Sequence, residues 1–154
     1  VDCGDFLLVN GYFPNGGQGD ERVRFKLDYY RDLLAWTQAQ SRPCVVTGDW
    51  NTAHTELDIA RPKENRKVSG FMDIERAEVD RWISAGFVDA FRLFCSEGGH
   101  YSWWSARAGS RQRNIGWRLD YFLVSRALAP RVRACTHHPE VSGSDHCPIS
   151  LEIA

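Results

Sequence analysis

The feature that most constrains this chain is the order in which its hydrophobic periodicity changes. Residues 5–13 (DFLLVNGYF) form an apolar run of strand length, and the Gly-rich PNGGQGD after them reads as a turn. Residues 21–40 then place Val23, Leu27, Tyr30 and Leu34 at helical spacing, which predicts an amphipathic helix. A short buried strand, PCVVTGDWN, runs into Gly48, and TAHTELDIARPKENRK reads as a long loop. A second helix is expected over DIERAEVDRWISAGF, capped by Asp73 and ended by Gly86. After a short VDAFRLF segment come three strands, HYSWWSA, WRLDYFLVS and RVRACTHH. A last strand puts Cys147, Ile149, Leu151 and Ile153 on one face.

The order β, α, β, α, then several β predicts the α/β class, with a mixed sheet that packs helices on one face. The strands are apolar on both sides, yet only two helices are available to cover them. One sheet face is therefore expected to lie open and to want a partner, a second copy of the chain in a homodimer being the simplest.

Length and composition bound the rest. At 154 residues the chain has the size of one domain, enough to bury roughly 68–70 % of its unfolded surface. Apolar and charged contents of 43 % and 25 % are ordinary for a globular protein. A net charge of −1 leaves no bulk attraction for nucleic acid, so a polyanion site has to be a local patch. The five cysteines are scattered and form no CxxC pair, which predicts buried, reduced thiols in a cytoplasmic protein rather than a disulfide framework. No run approaches the ~18 apolar residues of a membrane span, and no signal peptide is visible, so no membrane partner is expected. The chain opens at Val1 almost directly in a strand-like run, and so reads as part of something longer.

Four polar clusters sit at or inside the apolar strands: Tyr12 with Asn15, Asp49 with Asn51, Asp120, and Asp145 with His146. Asp120 lies within a strand pattern between Leu119 and Tyr121, where a carboxylate has to be ion-paired or bind a cation. Asp and Asn oxygens suit a hard cation such as Mg²⁺. An imidazole held by a carboxylate handles protons or binds a phosphoryl oxygen, and Tyr and Asn add donors for charge on non-bridging oxygens. Together these groups describe metal-assisted phosphodiester hydrolysis. No P-loop and no GxSxG elbow is present.

In this order, YFPNGG, GDWNTAHTELDIARPKEN, GFVDAFR, YSWWS, RNIGWRLDYFLVS and SDHCPI resemble the exonuclease III family of apurinic/apyrimidinic endonucleases. The resemblance runs over nearly all of the chain. SDH and GDxN alone would point only to the wider endonuclease/exonuclease/phosphatase superfamily, whereas NIGWRLDYFLVS points to the abasic-DNA branch. It implies half of a four-layer α/β sandwich, Mg²⁺ (or Mn²⁺) as cofactor, and double-stranded DNA with abasic sites or 3′ ends as partner. The activity implied is cutting 5′ to abasic sites, 3′–5′ exonuclease action, or both, in base-excision repair.

Residue by residue, the resemblance makes His146, oriented by Asp120, the contact to the scissile phosphate. It makes Asp49 the group that activates water, with Asn51 fixing it. Tyr12 contacts the phosphate, Asn15 lines the same pocket, and Asp145 stands near the metal together with Asp49 and Asn51. Asn114, Trp117 and Trp104 match the pocket for a flipped abasic sugar, where flat walls suit shape and exclusion.

A local basic patch accompanies these residues. Arg107, Arg111, Arg113 and Arg118 occur without an acid between Ser105 and Arg118, and Arg61, Lys63, Arg66 and Lys67 stand against Glu64 alone. Beside a phosphodiesterase site they read as grips on the DNA backbone, and cleavage should then weaken with salt.

The chain matches only the C-terminal part of the family's domain. The family's principal Mg²⁺ ligand, a glutamate in a KxQE-like motif, has no counterpart here; Glu56 belongs to another family segment. Two functions follow. One is the catalytic half of a repair nuclease; the other is a non-catalytic DNA-binding or dimerisation module of the same fold.

Overall fold

The structure is a computed structural model and describes residues 1–107 and 109–154. Its centre is a four-stranded mixed sheet. Strand β1 (Leu7–Tyr12) leads into helix α1 (Asp20–Gln38) and returns as β2 (Cys44–Asp49), parallel to β1. A short helix α2 (Pro62–Asn65) interrupts the expected loop, started by Pro62 at its first turn. Helix α3 (Asp73–Ser84) precedes β3 (Phe87–Asp89). A two-stranded ribbon, β4 (Trp103–Trp104) with β5 (Gly116–Trp117), leads to β6 (Asp120–Ser125). The sheet order is β1-β2-β6-β3, with β6 antiparallel to both neighbours. The chain closes with a hairpin of β7 (Val132–His137) and β8 (Ile149–Ile153).

Strict alternation assigns the two faces. Cys44 and Val46 of β2, with Tyr121 and Leu123 of β6, face the helices and meet Tyr30 and Leu34 of α1 and Val79 and Trp82 of α3. Trp50 is the keystone of this layer: it stacks on Phe13 at 4.1 Å and meets Trp82 edge-on at 5.0 Å. Each large side chain buried this way contributes roughly 1.5–3 kcal/mol, so this aromatic knot holds both helices to the sheet.

The opposite face carries Val45 and Val124, and the β7–β8 hairpin lies across it through Val132, Cys135, Leu151 and Ile153. The expected open face is therefore smaller than the helix count suggests, because the C-terminal hairpin folds back as a partial second layer. Leu8 and Phe122 remain only partly covered.

Several local expectations shift. HYSWWSA and WRLDYFLVS are each strand for only part of their length. Met72, not Asp73, occupies the cap of α3, because Glu75 turns back to accept the Met72 and Gly70 amides at 3.2 and 2.6 Å. Gly86 follows α3 in a left-handed conformation, as expected of a helix stop. Cys44, Cys135 and Cys147 are buried, but Cys3 is exposed. Among the described residues, no helix is long and apolar enough to cross a membrane.

Candidate active site

The ends of three strands define the site. In the sheet register Tyr12 pairs with Asp49, and Asp49 with Asp120, so three polar side chains stand in one row. The row lies on the face of Val45 and Val124, at the point where that face runs out of apolar residues. Gly48 makes the approach of β1 to β2 feasible: at φ +130 any Cβ would overlap the Gly11 carbonyl.

Beyond β2 the chain turns through Asn51, held left-handed at φ 49, a conformation Asn tolerates. Its backbone N–H donates to Asp49 Oδ1 at 2.8 Å, and its amide Nδ2 donates to Asp49 Oδ2 at 3.0 Å and Phe13 O at 2.9 Å. Asn15 Nδ2 donates to Asn51 Oδ1 at 3.1 Å, closing the row on its outer side.

A wholly buried ion pair supports this turn from behind. Lys26 Nζ donates to Asn51 O and to Glu75 Oε1, both at 2.7 Å. Glu75 also accepts from Ser69 Oγ at 2.8 Å and Gly70 N at 2.6 Å, which fixes the loop opposite Asn51. Helix α1 therefore sets two walls of the pocket through one lysine.

Ribbon strand β4 brings in the C-terminal pair. Trp104 N donates to Asp145 O at 3.0 Å, and Cys147 N donates to Ser102 O at 2.8 Å, so residues 145–147 are pinned alongside β4. The Ser102 hydroxyl accepts from the Leu119 and Asp120 amides at 2.9 and 3.0 Å, placing Asp120 in the same operation. The result is His146 Nδ1 at 2.8 Å from Asp120 Oδ2, with Nε2 turned towards Asp49 Oδ2 at 4.0 Å.

The electrostatics separate the two catalytic candidates. Burial pushes the Asp49 carboxyl up to about 6, and the neighbouring Asp120 charge adds to it, against pulls downward from the Asn51 amide, His146 and Lys26. Burial works against charge on His146, but its bond to Asp120 and the charges of Asp120, Asp49 and Asp145 outweigh it and raise the imidazole above its ordinary value. Asp145 is held below the usual carboxylate range, chiefly because Trp103 Nε1 donates to it at 2.9 Å.

These groups line one cavity of about 370 Å³. Tyr12, Asn15, Asp49, Asn51, Asp145, His146 and Trp117 all reach it, as expected from sequence, and Asp120 stands behind His146. Trp104 and Asn114 do not. Neighbouring residues of a strand face opposite ways, so Trp103 enters the cavity and Trp104 turns into the far side, where its Nε1 donates to Asn114 Oδ1 at 3.1 Å. Trp103 and Leu119, missed in the sequence, complete the wall with Trp117, which meets Trp103 edge-on at 6.3 Å. The two-residue alternation in YSWWS was the available signal.

The basic patch divides. Arg107 and Arg113 are exposed. Arg111 instead spends its donors on the carbonyls of Ser144, Pro139 and Val141, at 2.8, 3.0 and 2.6 Å, and clamps that loop. Arg118 is fully buried between Asp58 and Asp89, at 2.7 and 2.6 Å, and is a core ion rather than a grip on DNA. Arg66 is bound to Glu56 at 2.5 Å.

The donors present do not close a protein cage around a cation, although Mg²⁺ needs only one or two carboxylates beside its waters. Among the described residues no three His, Cys, Asp or Glu side chains come together in a way that could hold an ion. Asp49 and Asn51 are hydrogen-bonded to each other, and one Asp145 oxygen is taken by Trp103.

The chain is similar to several known nucleases. An exodeoxyribonuclease from Bacillus subtilis (strain 168) is 45 % identical over 150 residues, spanning 96 % of this chain and 60 % of that protein. A DNA-(apurinic or apyrimidinic site) endonuclease from Dictyostelium discoideum is 38 % identical over 159 residues, spanning 99 % and 44 %. The solved structure of the AP endonuclease LMAP from Leishmania major superposes with a TM-score of 0.85 at 34 % identity, covering 94 % of this chain and 49 % of that one. The chain thus spans between two-fifths and three-fifths of these relatives' own lengths. The family profile matched over residues 2–146 decides the assignment: this chain belongs to the Endonuclease/Exonuclease/phosphatase family.

Proposed function

We propose that the cavity is the hydrolytic centre of a DNA-repair nuclease that opens phosphodiester bonds at abasic sites or at 3′ ends. The observation that carries this reading is the in-register row Tyr12–Asp49–Asp120, with His146 standing between the two carboxylates at 2.8 and 4.0 Å. Relatives named exodeoxyribonuclease and AP endonuclease support the substrate class.

The residues divide the work. His146, kept cationic by Asp120, donates from Nε2 to a non-bridging phosphate oxygen and stabilises the charge that builds there. Asp49, ionised above about pH 6, accepts a proton from the attacking water while the Asn51 amide holds its carboxylate in place. The water oxygen bonds to phosphorus as the ester P–O bond breaks, and the departing oxygen takes a proton from solvent. Tyr12 and Asn15 border the phosphate, while Trp103 and Trp117 offer flat walls, and Leu119 an apolar contact, to a sugar that carries no base. No step here is routed through a metal.

The alternative is a DNA-binding module of the same fold that does not cut. Incubation of the chain with a duplex carrying one abasic site, with and without EDTA, tests both. Cutting that His146→Ala abolishes supports the hydrolytic reading. Salt-sensitive binding without cutting, under any divalent cation, supports the module.

A further inference from the structure

A second cleft, of about 540 Å³, opens on the other side of the β4–β5 ribbon and takes no part in the row described above. Trp104 and Asn114 line it, together with Phe91, His100, Tyr101 and His137. Its floor is an aromatic pair: Phe91 and His137 stack at 4.1 Å with their planes 8° apart. His100 is exposed and leans over Phe91 at 5.8 Å, and Phe94 at the rim is 52 % exposed.

Three properties of this cleft point to one kind of ligand. Its faces are flat and aromatic, which suits stacking of a planar ring. The guanidinium groups of Arg92 and Arg118 each lie 5.4 Å from the Phe91 ring centroid, but both are paired with Asp58 or Asp89, so the floor carries no net charge and suits a neutral ring. Trp104, Asn114 and Arg111 spend their donors within the protein, but three polar groups of the walls stay unspent. Neither the His100 imidazole nor the Tyr101 hydroxyl has a hydrogen-bond partner among the described residues, and His137 Nδ1 is buried without one. Burial, reinforced by Arg118, His100 and Arg92, pushes His137 down to about 3, so its ring is neutral and offers a donor and an acceptor rather than a charge. A buried polar atom without a partner costs about 1–3 kcal/mol, which a ligand edge or a water would offset.

We infer that the cleft bounded by Phe91, His100, Tyr101, Trp104 and His137 is a second binding site, built to take an unstacked nucleobase. The ring lies against His100 and the aromatic floor, while Tyr101 and the imidazoles address its acceptor edge. The site is separate from the hydrolytic row and does not depend on it.

The test is NMR of the full chain, following the ring resonances of His100 and Tyr101. One titration uses deoxyadenosine monophosphate and another a short single-stranded DNA of mixed sequence. Saturable shifts are expected, unchanged in Asp49→Asn, and His100→Ala should weaken binding about tenfold, the scale of one lost base-stacking contact. Tyr101→Phe, which removes only the hydroxyl, should weaken it as well and serves if the alanine variant unfolds. Shifts with the mononucleotide show that a free nucleotide suffices, while shifts with DNA alone assign the base to a strand. The inference is overturned if neither probe moves these resonances, if the shifts vanish in Asp49→Asn, or if both cleft variants bind as tightly as the wild type.

Discussion

Asp49 and Asp120 face each other across the β2–β6 ladder, and among the described residues only His146 lies close enough to both to offset their repulsion. Like charges directly opposite on one sheet face destabilise it. The fold accepts that cost where it concentrates chemistry.

Asp49→Asn should stabilise the protein near neutral pH while abolishing hydrolysis. The folded-state carboxyl titrates at about 6 against an ordinary 3.8, so its ionisation opposes folding. Stability from this group is complete below about pH 3.8 and is lost as pH rises through about 6. Urea denaturation should show the variant ahead by about 1–2 kcal/mol at pH 7 and by much less at pH 4. Equal stability at pH 7 would refute the account of a desolvated carboxylate.

Activity should rise with pH through about 6 as Asp49 ionises, and fall once His146 loses its proton, above its ordinary 6.5. The same His146 contributes to stability below about 6.5, and that contribution fades as pH passes its raised folded value. Asp120→Asn removes the bond and the charge that support the imidazolium. A pH–rate profile should then show the alkaline limb displaced downwards and a loss of about 10²–10³-fold at the optimum. An unmoved limb would assign it to another group.

Lys26→Met should cost about 3 kcal/mol, because Glu75 is left buried without its cation. Pairing it with Glu75→Gln should recover most of that stability, since the amide still accepts from Gly70 and Met72. The double variant should nonetheless cut slowly, as Asn51 O has lost its donor. Thermal melts and single-turnover rates on the same samples separate the two effects.

Gly48→Ala should be among the most damaging single substitutions in the sheet. It adds a methyl where the Gly11 carbonyl already sits and asks alanine to hold φ +130. Loss of about 3 kcal/mol or more is expected by chemical denaturation; a loss under ~1 kcal/mol would mean that β1 can part from β2 without penalty.

The polar clusters were legible in the sequence because each interrupts an apolar strand, and strands align their ends. Helix α1 was legible from its period, and α3 from its start and stop signals. What escaped notice depends on pairing between distant segments. Nothing local marks Ser102 as the residue that seats both Asp120 and Cys147, or Lys26 as a buried ion; in the sequence it is one cation on an amphipathic helix. Arg118 misled for the same reason, since its partners Asp58 and Asp89 lie 60 and 29 residues away. The choice between Trp103 and Trp104 needed only the strand's parity, but a two-residue strand is too short to announce its phase.

The alternation along β2 also sets where this gene can change length. Val45 and Asp49 share one side of the ribbon, and Val46 and Gly48 the other. Inserting or deleting one codon between Cys44 and Asp49 would swing the carboxylate into the space of Trp50 and Phe13, and send a valine out to meet the phosphate. The connection between β4 and β5 carries no member of the row, so indels of the same size there leave the chemistry in phase provided Arg111 keeps its hold on the Ser144, Pro139 and Val141 carbonyls. Among relatives, gaps should therefore collect in that connection and be absent from the six residues of β2.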